Sequence, residues 1–522
     1  MKIKNIARDF VGRLRPLLLL LTIPLSGCLI QIDVPSGATV VTESGSYRCE
    51  AGEQCLIEVV DLLFDETFSV EVDEGFAFLA WRTRENSLCG GSSEPCALLT
   101  SGFAGNDILL SFLVSDEVFF LEPELRPDAP LVSEALDCVD VPDSAVNPGT
   151  DLKKVTLSGD NAICNDGSPG VMYIRAAGSE LAAQDWTIYF QGGSGCLGPD
   201  CAERWCRLSK RMSTLGTPDA TNVGGIFNRR DDNQLGDNNQ AFLYYCSSDN
   251  FSGQSTDFVV EESEEAPEYR IHFRGNAILN AALATLERGA VSDDQSVTLP
   301  PLGGEGTVTL SGASAGCGSL GYNADRVGER LQGLGLSTQV ICDANFAPVV
   351  EFLPDDERTN VLVASAENVS NLRSENLDIV RDESCLELQI EEPWRCDIAS
   401  YVLANHVTRS PVFVRMDLGD NTIYENYEGV GYTLEEFARG TREALIGASE
   451  GLGVEQPPRP LSVYGPACGR HSAVFSDNSY FETTVGSGNA ARSYNDAVEE
   501  WIAGTQVVLV DTVPPTSSVC LN

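Results

Sequence analysis

The stretch Thr307-Val308-Thr309-Leu310-Ser311-Gly312-Ala313-Ser314-Ala315-Gly316 decides the fold of this 522-residue chain. It opens with the β-branched and apolar residues of a strand, and the apolar residues that follow from Leu320 to Leu331 have helical spacing. A serine between glycines at a sharp strand-to-helix turn can hold strained backbone angles and present its hydroxyl above the sheet. We therefore predict that Ser314 is a catalytic nucleophile.

A serine hydroxyl needs a base to remove its proton, and the chain has three histidines. His272 lies in an apolar, strand-like stretch before Ser314, and His406 lies in a predicted helix. His471 lies late in the chain, in a loop that follows Cys468, where a catalytic base is commonly found. We predict His471 as the general base.

The third catalytic group should be a carboxylate in a loop after a strand, where it can orient the imidazole. The predicted strand from Val412 to Met416 is followed by Asp417 and Asp420, and the residues alone leave both open. Either choice gives the chain order Ser, Asp, His, which α/β-hydrolases use.

A glycine-rich turn after the predicted strand Trp186 to Phe190 supplies candidate oxyanion donors. Such a turn lets backbone N–H groups approach a developing negative charge. We predict that the backbone N–H groups of Gly193, Ser194 and Ala315 form the oxyanion hole.

Strand-like and helical segments alternate beyond residue 150, which predicts a mostly parallel sheet with flanking helices, an α/β-hydrolase-like fold. Short alternating strands before that region predict a small all-β module that acts as a stalk or a binding module. The sequence thus divides into a signal peptide (1–27), a disulfide-stapled β module (28–121), a Pro- and acid-rich linker (122–150) and a hydrolase domain (151–522).

The N-terminus has the pattern of a bacterial lipoprotein signal, with basic residues, a short apolar run from Leu17 to Leu25, and then Ser26-Gly27-Cys28. This pattern predicts cleavage before Cys28 and acylation of its thiol. The protein is then exported and anchored by this lipid in the cell envelope, in the outer membrane or at the cell surface.

The chain contains 17 cysteines, and without Cys28 an even number remains for up to eight disulfides in an oxidising compartment. Short separations predict that Cys49 pairs with Cys55 and Cys89 with Cys96. The scattered spacing of the cysteines along the chain and the scarcity of histidine disfavour a zinc site. We therefore expect neither a metal nor another cofactor.

The formal net charge of −43 disfavours nucleic acid and other polyanions as partners. The acidic residues are spread along the chain, which is typical of a solvated, soluble surface.

Several segments, in order, resemble the Notum and pectin acetylesterase family over about residues 160 to 475. The segments are Cys164-Asn165-Asp166-Gly167-Ser168-Pro169, Gly192-Gly193-x-x-Cys196, Tyr245-Cys246-Ser247-Ser248-Asp249-Asn250-Phe251-Ser252-Gly253, Phe273-Arg274-Gly275, Ser314-Ala315-Gly316 with Asp325-Arg326-Val327, Cys342-Asp343-Ala344-Asn345-Phe346 and Pro466-Ala467-Cys468-Gly469-Arg470-His471.

The resemblance implies that the acid lies seven residues after Phe413, which selects Asp420 rather than Asp417. It also implies an α/β-hydrolase fold, disulfides, no metal, and hydrolysis of O-acyl esters on carbohydrate or protein. The chain departs from the family where a tryptophan is usual at Ser194 and a glycine at Cys317, and in the run after the acid.

From these features we expect a serine carboxylesterase that acts through an acyl-enzyme on short-chain, acetyl-type esters of carbohydrate or a related small molecule. A serine at position 194 cannot form the apolar wall that a tryptophan would offer to a long acyl chain. The alternatives are a Notum-like lipid or protein O-deacylase and a non-catalytic surface-binding lipoprotein.

Overall fold

The computed structural model describes residues 27–138, 146–159, 161–208, 211–264, 266–451 and 460–512. The chain divides into two compact units, of which the first ends at Asp128 and the second begins at Ala129. The signal peptide expected at residues 1–27 lies outside the described residues except for Gly27. No helix in these described ranges is both long enough and apolar enough to cross a membrane.

The first unit is almost entirely made of short strands. Its elements are β1 (Cys28–Asp33), β2 (Ala38–Thr42), β3 (Arg48–Cys49), β4 (Gln54–Val59), β5 (Asp65–Val72), β6 (Phe76–Trp81), β7 (Cys96–Leu99), α1 (Asp107–Phe112), β8 (Val118–Leu121) and β9 (Pro123–Pro127). The strands form small sheets in the orders β4-β1-β8, β3-β2-β5-β7 and β6-β9. The predicted disulfides Cys49–Cys55 and Cys89–Cys96 are both present, so the prediction of a disulfide-stapled β structure is confirmed.

The second unit alternates strands with helices. Its strands are β10 (Pro148–Thr156), β11 (Val171–Arg175), β12 (Trp186–Phe190), β13 (Ala220–Thr221), β14 (Asn239–Leu243), β15 (Phe258–Val260), β16 (Tyr269–Ile271), β17 (Thr307–Ala313), β18 (Ser337–Asp343), β19 (Val412–Arg415), β20 (Ser462–Gly465), β21 (Thr484–Val485), β22 (Arg492–Ser493) and β23 (Val508–Val510). Its helices are α2 (Val132–Ala135), α3 (Cys201–Leu208), α4 (Gly275–Arg288), α5 (Ala315–Gln332), α6 (Glu357–Leu377), α7 (Glu383–Leu388), α8 (Ala399–Asn405), α9 (Asn421–Glu428), α10 (Leu434–Glu450) and α11 (Tyr494–Ile502).

Ten of these strands form one sheet in the order β13-β10-β11-β14-β12-β17-β18-β19-β20-β23. Every pair from β14 to β23 is parallel, and the three pairs that involve β10 or β11 are antiparallel. The prediction of a mostly parallel sheet with flanking helices is therefore confirmed.

Strands β12, β14, β19 and β20 are buried along their whole length, as expected for a parallel sheet covered on both faces. Helix α5 packs against β17 and β18, and α10 packs against β20 and β23. In open sheets of this kind, functional groups lie beyond the carboxyl ends of the parallel strands. Here β12, β17, β19 and β20 lead into the loops that carry the predicted site residues.

The segment expected as a linker, 122–150, contains regular structure where it is described. Strand β9 pairs with β6 in the first unit, and α2 follows in the second. Prolines occupy the first and last positions of β9, where a missing N–H is tolerated. The prolines of this segment therefore lie at strand ends as well as in turns.

Five further disulfides link cysteines of the second unit: Cys138–Cys206, Cys164–Cys246, Cys196–Cys201, Cys317–Cys342 and Cys385–Cys396. Cys468 is also disulfide-bonded. The pair Cys317–Cys342 accounts for the cysteine that replaces the usual glycine at position 317. Such extensive pairing is typical of secreted proteins, as predicted.

Candidate active site

Ser314 lies at the tight turn between β17 and α5. Its backbone angles are φ 55° and ψ −121°, a strained conformation for a residue with a side chain. The flanking glycines are required by close packing, because a Cβ at Gly316 would lie 1.9 Å from the Phe190 carbonyl oxygen. A Cβ at Gly312 would lie 2.4 Å from the oxygen of Gly316. The sequence around Ser314 thus builds the predicted elbow, with the serine half-buried at its tip.

His471 and Asp420 are in direct contact. The Nδ1 atom of His471 lies 2.9 Å from Oδ2 and 3.0 Å from Oδ1 of Asp420. The Asp420 carboxylate is fully buried and accepts hydrogen bonds from the backbone N–H groups of Thr422 and Ile423, at the start of α9. These bonds fix the carboxylate so that it can orient the imidazole with Nε2 free for chemistry.

Asp417, the other carboxylate of this loop, has different partners. Its side chain is ion-paired with the Arg415 guanidinium, and Oδ2 accepts a hydrogen bond of 2.6 Å from the Arg470 N–H. Burial raises the pKa of Asp417 to about 7, although Arg415 opposes that rise. Asp417 therefore supports the loop that carries His471 and does not contact the imidazole.

Arg415 also forms an ion pair with another buried aspartate, Asp343, at the end of β18. The Arg415 Nη1 atom donates to Asp343 Oδ1 at 2.7 Å, and the two residues are neighbours in the parallel register of β18 and β19. Asp343 Oδ2 accepts hydrogen bonds from the N–H groups of Ala473 and Val474, at 2.5 and 2.8 Å. Asp417 and Asp343 thus hold the chain on both sides of His471.

The predicted oxyanion turn lies against the nucleophile. A Cβ at Gly192 would lie 2.2 Å from the Ala313 carbonyl oxygen and 3.1 Å from Ser314 Cβ, so only glycine fits there. Gly193 and Ser194 both have positive φ, 153° and 64°. Ala315 is the first residue of the 18-residue helix α5, whose N-terminal N–H groups favour negative charge. The structure thus brings Gly193, Ser194 and Ala315 close to Ser314.

Ser314 and His471 open into the same cavity, which has a volume of about 610 Å³. In the described part of the chain their side chains do not form a hydrogen bond with each other, and such bonds often tighten only when substrate is bound. The cavity is lined by Val146, Asn147, Tyr189, Gln191, Gly192, Gly193, Ser194, Arg211, Thr221, Asn222, Val223, Gly224, Phe242, Ala313, Ser314, Thr422, His471, Ser472 and Phe475.

A second cavity of about 480 Å³ also reaches the nucleophile and shares Ser194, Ser314 and Thr422 with the first. Its lining also includes polar side chains, among them Asn250 and Asn345. The serine therefore stands between two spaces, which could hold the acyl and alcohol parts of an ester.

The other two histidines lie elsewhere. Burial lowers the pKa of both His272 and His406. His272 Nδ1 accepts a hydrogen bond from the Asp257 N–H, and His406 Nδ1 lies 3.3 Å from Ser384 Oγ. Neither histidine lines the cavity that holds Ser314. This placement agrees with the choice of His471 over His272 and His406 as the general base.

Within the described residues, one group has the composition of a metal site, Cys49, Glu53 and Cys55. The two cysteines form a disulfide with each other, so their sulfurs are not available as thiolate ligands.

Sequence reasoning missed three charged residues, Asp343, Arg415 and Arg204, that support the site. Arg204 lies in α3 and donates from Nη1 to the Gly193 carbonyl oxygen at 2.6 Å. The alternation of apolar residues and the motif spacing do not reveal such pairs, because the partners come from distant strands and loops.

Comparisons with known proteins agree with this fold. A family model described as Pectinacetylesterase matches residues 148–521. The chain is 30% identical over 251 residues to palmitoleoyl-protein carboxylesterase NOTUM of Drosophila melanogaster, covering 47% of this chain and 34% of that protein. It is 27% identical over 344 residues to the Homo sapiens protein of the same name, covering 64% and 63%. The chain thus matches about a third of the first relative's length and less than two thirds of the second's.

A solved structure of the Wnt deacylase Notum from Drosophila is similar with a TM-score of 0.55 at 24% sequence identity, covering 71% of this chain and 100% of that one. This likeness shows that the covered part of the chain has the fold of that protein.

Proposed function

Because this chain belongs to the Pectinacetylesterase family, whose model matches residues 148–521, we propose that it is a serine carboxylesterase acting on O-acyl esters of carbohydrate. Homologues in this family are carboxylesterases. The observation that carries the proposal is that Ser314, at a strained turn, shares a cavity with His471, whose Nδ1 atom is hydrogen-bonded to Asp420.

The proposed reaction is a two-step acyl transfer. His471 Nε2 takes the hydroxyl proton while Ser314 Oγ attacks the ester carbonyl, and Asp420 stabilises the imidazolium. The N–H groups of Gly193, Ser194 and Ala315 stabilise the oxyanion until the alcohol leaves with the proton from His471. Water, activated by the same imidazole, then hydrolyses the acyl-enzyme and releases the carboxylic acid.

We propose that the acyl group is short, of the acetyl type. Ser194 and Gly195 are exposed and provide no apolar wall beside the oxyanion turn. The larger cavity also has polar side chains suited to sugar hydroxyls, including Asn147, Thr221 and Asn222. We expect kcat/KM on p-nitrophenyl esters to be highest for acetyl and butyryl and to fall towards palmitoyl.

A lipid or protein O-deacylase is the second candidate, and one specific observation favours it. Tyr189, Phe242 and Phe475 line the same cavity and provide an aromatic surface that could contact a longer acyl chain. If kcat/KM rises steadily with chain length in the ester series, this second function replaces the first.

We also propose that Cys28 carries a lipid anchor on an exported protein. Among the described cysteines it alone is outside a disulfide. Its side chain is buried at the start of β1, so acylation requires this end of the strand to open. We expect the intact protein to partition into detergent and Cys28→Ser to partition into water; equal partitioning would contradict anchoring. A non-catalytic surface protein could also carry such an anchor.

The catalytic proposal is tested by replacing Ser314 with alanine. We expect Ser314→Ala to lower hydrolysis of p-nitrophenyl acetate by about 10³-fold or more, since the nucleophile is lost while folding is unchanged. Ser472→Ala is the matched control, because Ser472 lines the same cavity and also has positive φ, 66°. Turnover similar to wild type in Ser314→Ala, or an equal loss in Ser472→Ala, would contradict the assignment.

A further inference from the structure

Arg204 is a buried arginine beneath the oxyanion turn. Its residue is 7% exposed, its Nη1 donates to the Gly193 carbonyl oxygen at 2.6 Å, and its Nε donates to Ser248 Oγ at 2.9 Å. Nη2 is buried without a hydrogen-bond partner in the described part of the protein. Within the same described residues, no carboxylate forms an ion pair with this guanidinium.

The surroundings of Arg204 make its charge unfavourable in the resting protein. Burial lowers the pKa of Arg204, and the positive charge of Arg211 adds to that effect, whereas Tyr245 and Asp200 oppose it. Arg211 lines the catalytic cavity, and its Nη1 would lie 3.6 Å from a Cβ built on Gly193. A buried cation without a counterion is destabilising. We therefore expect a buried arginine beside a catalytic turn to have a functional role.

Contacts other than Arg204 also hold the turn. The disulfide Cys196–Cys201 ties the turn to the start of α3, and the Cys196 N–H donates to the Ser248 carbonyl oxygen at 3.2 Å. Ser248 Oγ in turn donates to Asn165 Oδ1 at 2.6 Å. A neutral donor at position 204 could complete this network as well as an arginine can.

The carbonyl that Arg204 contacts belongs to the same peptide group as the Ser194 N–H. A cation on the carbonyl oxygen polarises that peptide and strengthens its N–H as a donor. The counterion that Arg204 lacks would be supplied by the negative charge that develops on the substrate oxygen in the transition state. Such an interaction stabilises the transition state more than the bound ester, which is the condition for raising kcat.

We propose that Arg204 is a positioning residue that holds and polarises the Gly193–Ser194 peptide, so that the Ser194 N–H stabilises the oxyanion. This inference rests on the proposed function, in which Ser314 forms an acyl-enzyme. The ester does not contact Arg204, whose effect passes through the backbone of the turn.

The test compares Arg204→Gln, which keeps hydrogen-bond donors but loses the charge, with Arg204→Lys, which keeps the charge. On p-nitrophenyl acetate we expect kcat of Arg204→Gln to fall about 10- to 100-fold with KM changed less than about threefold. Affinity for a phenylboronic acid, which forms a charged tetrahedral adduct with serine, should fall by the same factor as kcat. Arg204→Lys should recover at least about a third of the wild-type kcat.

Arg175→Gln is the matched control. Arg175 is half-buried, donates to a backbone carbonyl, that of Phe227, and also has one guanidinium nitrogen without a partner among the described residues. It differs from Arg204 in having an ion pair, with Asp151 at 3.6 Å. We expect this variant to keep wild-type kcat and boronic acid affinity.

Wild-type kcat in Arg204→Gln would overturn the proposal, as would equal losses in folded Arg204→Gln and Arg204→Lys. If Arg204→Gln does not fold, the kcat of Arg204→Lys decides, and a folded lysine variant with less than about a third of wild-type kcat overturns the inference. Fluorophosphonate labelling of wild-type Ser314 separates these outcomes from a failure of the catalytic proposal itself, because labelling does not depend on the variants.

Discussion

At the scale of single residues, two aspartates of one loop have separate tasks. Asp420 contacts His471 Nδ1, whereas Asp417 is held by Arg415 and by the Arg470 N–H. The sequence after β19 leaves these carboxylates open, because both follow a strand by a few residues. The family resemblance selects Asp420, and the geometry supplies a physical reason for that choice.

Replacing each aspartate by asparagine should separate the two tasks. We expect Asp420→Asn to lower kcat about 10³- to 10⁴-fold, because an amide cannot stabilise the imidazolium and favours the wrong tautomer. Asp417→Asn should stay within about tenfold of wild type, since an amide oxygen can still accept from the Arg470 N–H. Steady-state kinetics on p-nitrophenyl acetate measures both. A larger loss in Asp417→Asn would mean that Asp417 is the catalytic acid.

At the scale of elements, the sequence predicted the strands and the helix that build the site. Strands β12 and β19 lie where the sequence placed them, whereas β17 continues to Ala313 and α5 already begins at Ala315, before the apolar residues from Leu320 that indicated the helix. The anchoring of the His471 loop could not be predicted, because it depends on Asp343 and Arg415 becoming neighbours in the register of β18 and β19. Those two residues are separated by 72 positions, and nothing local to either indicates the pairing.

Removing the cation at the centre of this anchor should affect both stability and turnover. Arg415→Met leaves Asp343 and Asp417 buried without a counterion, which we expect to destabilise the fold by roughly 3–5 kcal/mol. The folded fraction should also lose kcat, because the His471 loop loses its support. Arg381→Met is the control, since it breaks the part-buried pair with Asp397, and neither of these residues lines the cavity that contains His471. Denaturant unfolding and kinetics that show equal kcat in both variants would contradict the anchoring role.

The start of helix α4 contains a buried aspartate, Asp249, whose contribution to stability depends on pH. Asp249 is buried and accepts hydrogen bonds from the N–H of Gly275, the first residue of α4, and from Ser247 Oγ. Burial raises the pKa of Asp249 to about 6. Because the folded state holds this proton more tightly than the unfolded chain, the contribution of Asp249 to stability is present at low pH and is lost as pH rises from about 4 to 6.

We therefore expect wild type to lose about 2 kcal/mol relative to Asp249→Asn between pH 4 and pH 6, because the asparagine does not titrate. Urea unfolding of both proteins across this range measures the difference. A constant difference between the two proteins would contradict the raised pKa.

At the scale of the whole molecule, each unit is closed by its own disulfides. The long bridge Cys164–Cys246 spans 82 residues of the second unit, whereas Cys49–Cys55 closes a short loop in the first. The number of cysteines predicted extensive pairing. The long-range partners could not be assigned, because the same number of cysteines can be paired in many different ways. The two short bridges could be predicted from their separation.

Removing the long bridge should destabilise the second unit selectively. We expect the double variant Cys164→Ala/Cys246→Ala to lose about 4 kcal/mol, because the unfolded chain regains the freedom of an 82-residue loop. Cys49→Ala/Cys55→Ala is the control and should leave esterase activity after mild heating unchanged. Residual activity as a function of temperature compares the two. Equal heat resistance of the long-bridge variant and wild type would contradict a stabilising role.

The central claim is that Ser314 is an activated nucleophile, and covalent labelling tests it most directly. The intact protein is treated with a fluorophosphonate, and the modified peptide is located by mass spectrometry. We expect one adduct per chain on Ser314, with labelling abolished in Ser314→Ala and strongly slowed when His471 is replaced by alanine. The absence of labelling, or an adduct on another residue while Ser314 stays unmodified, would contradict the account.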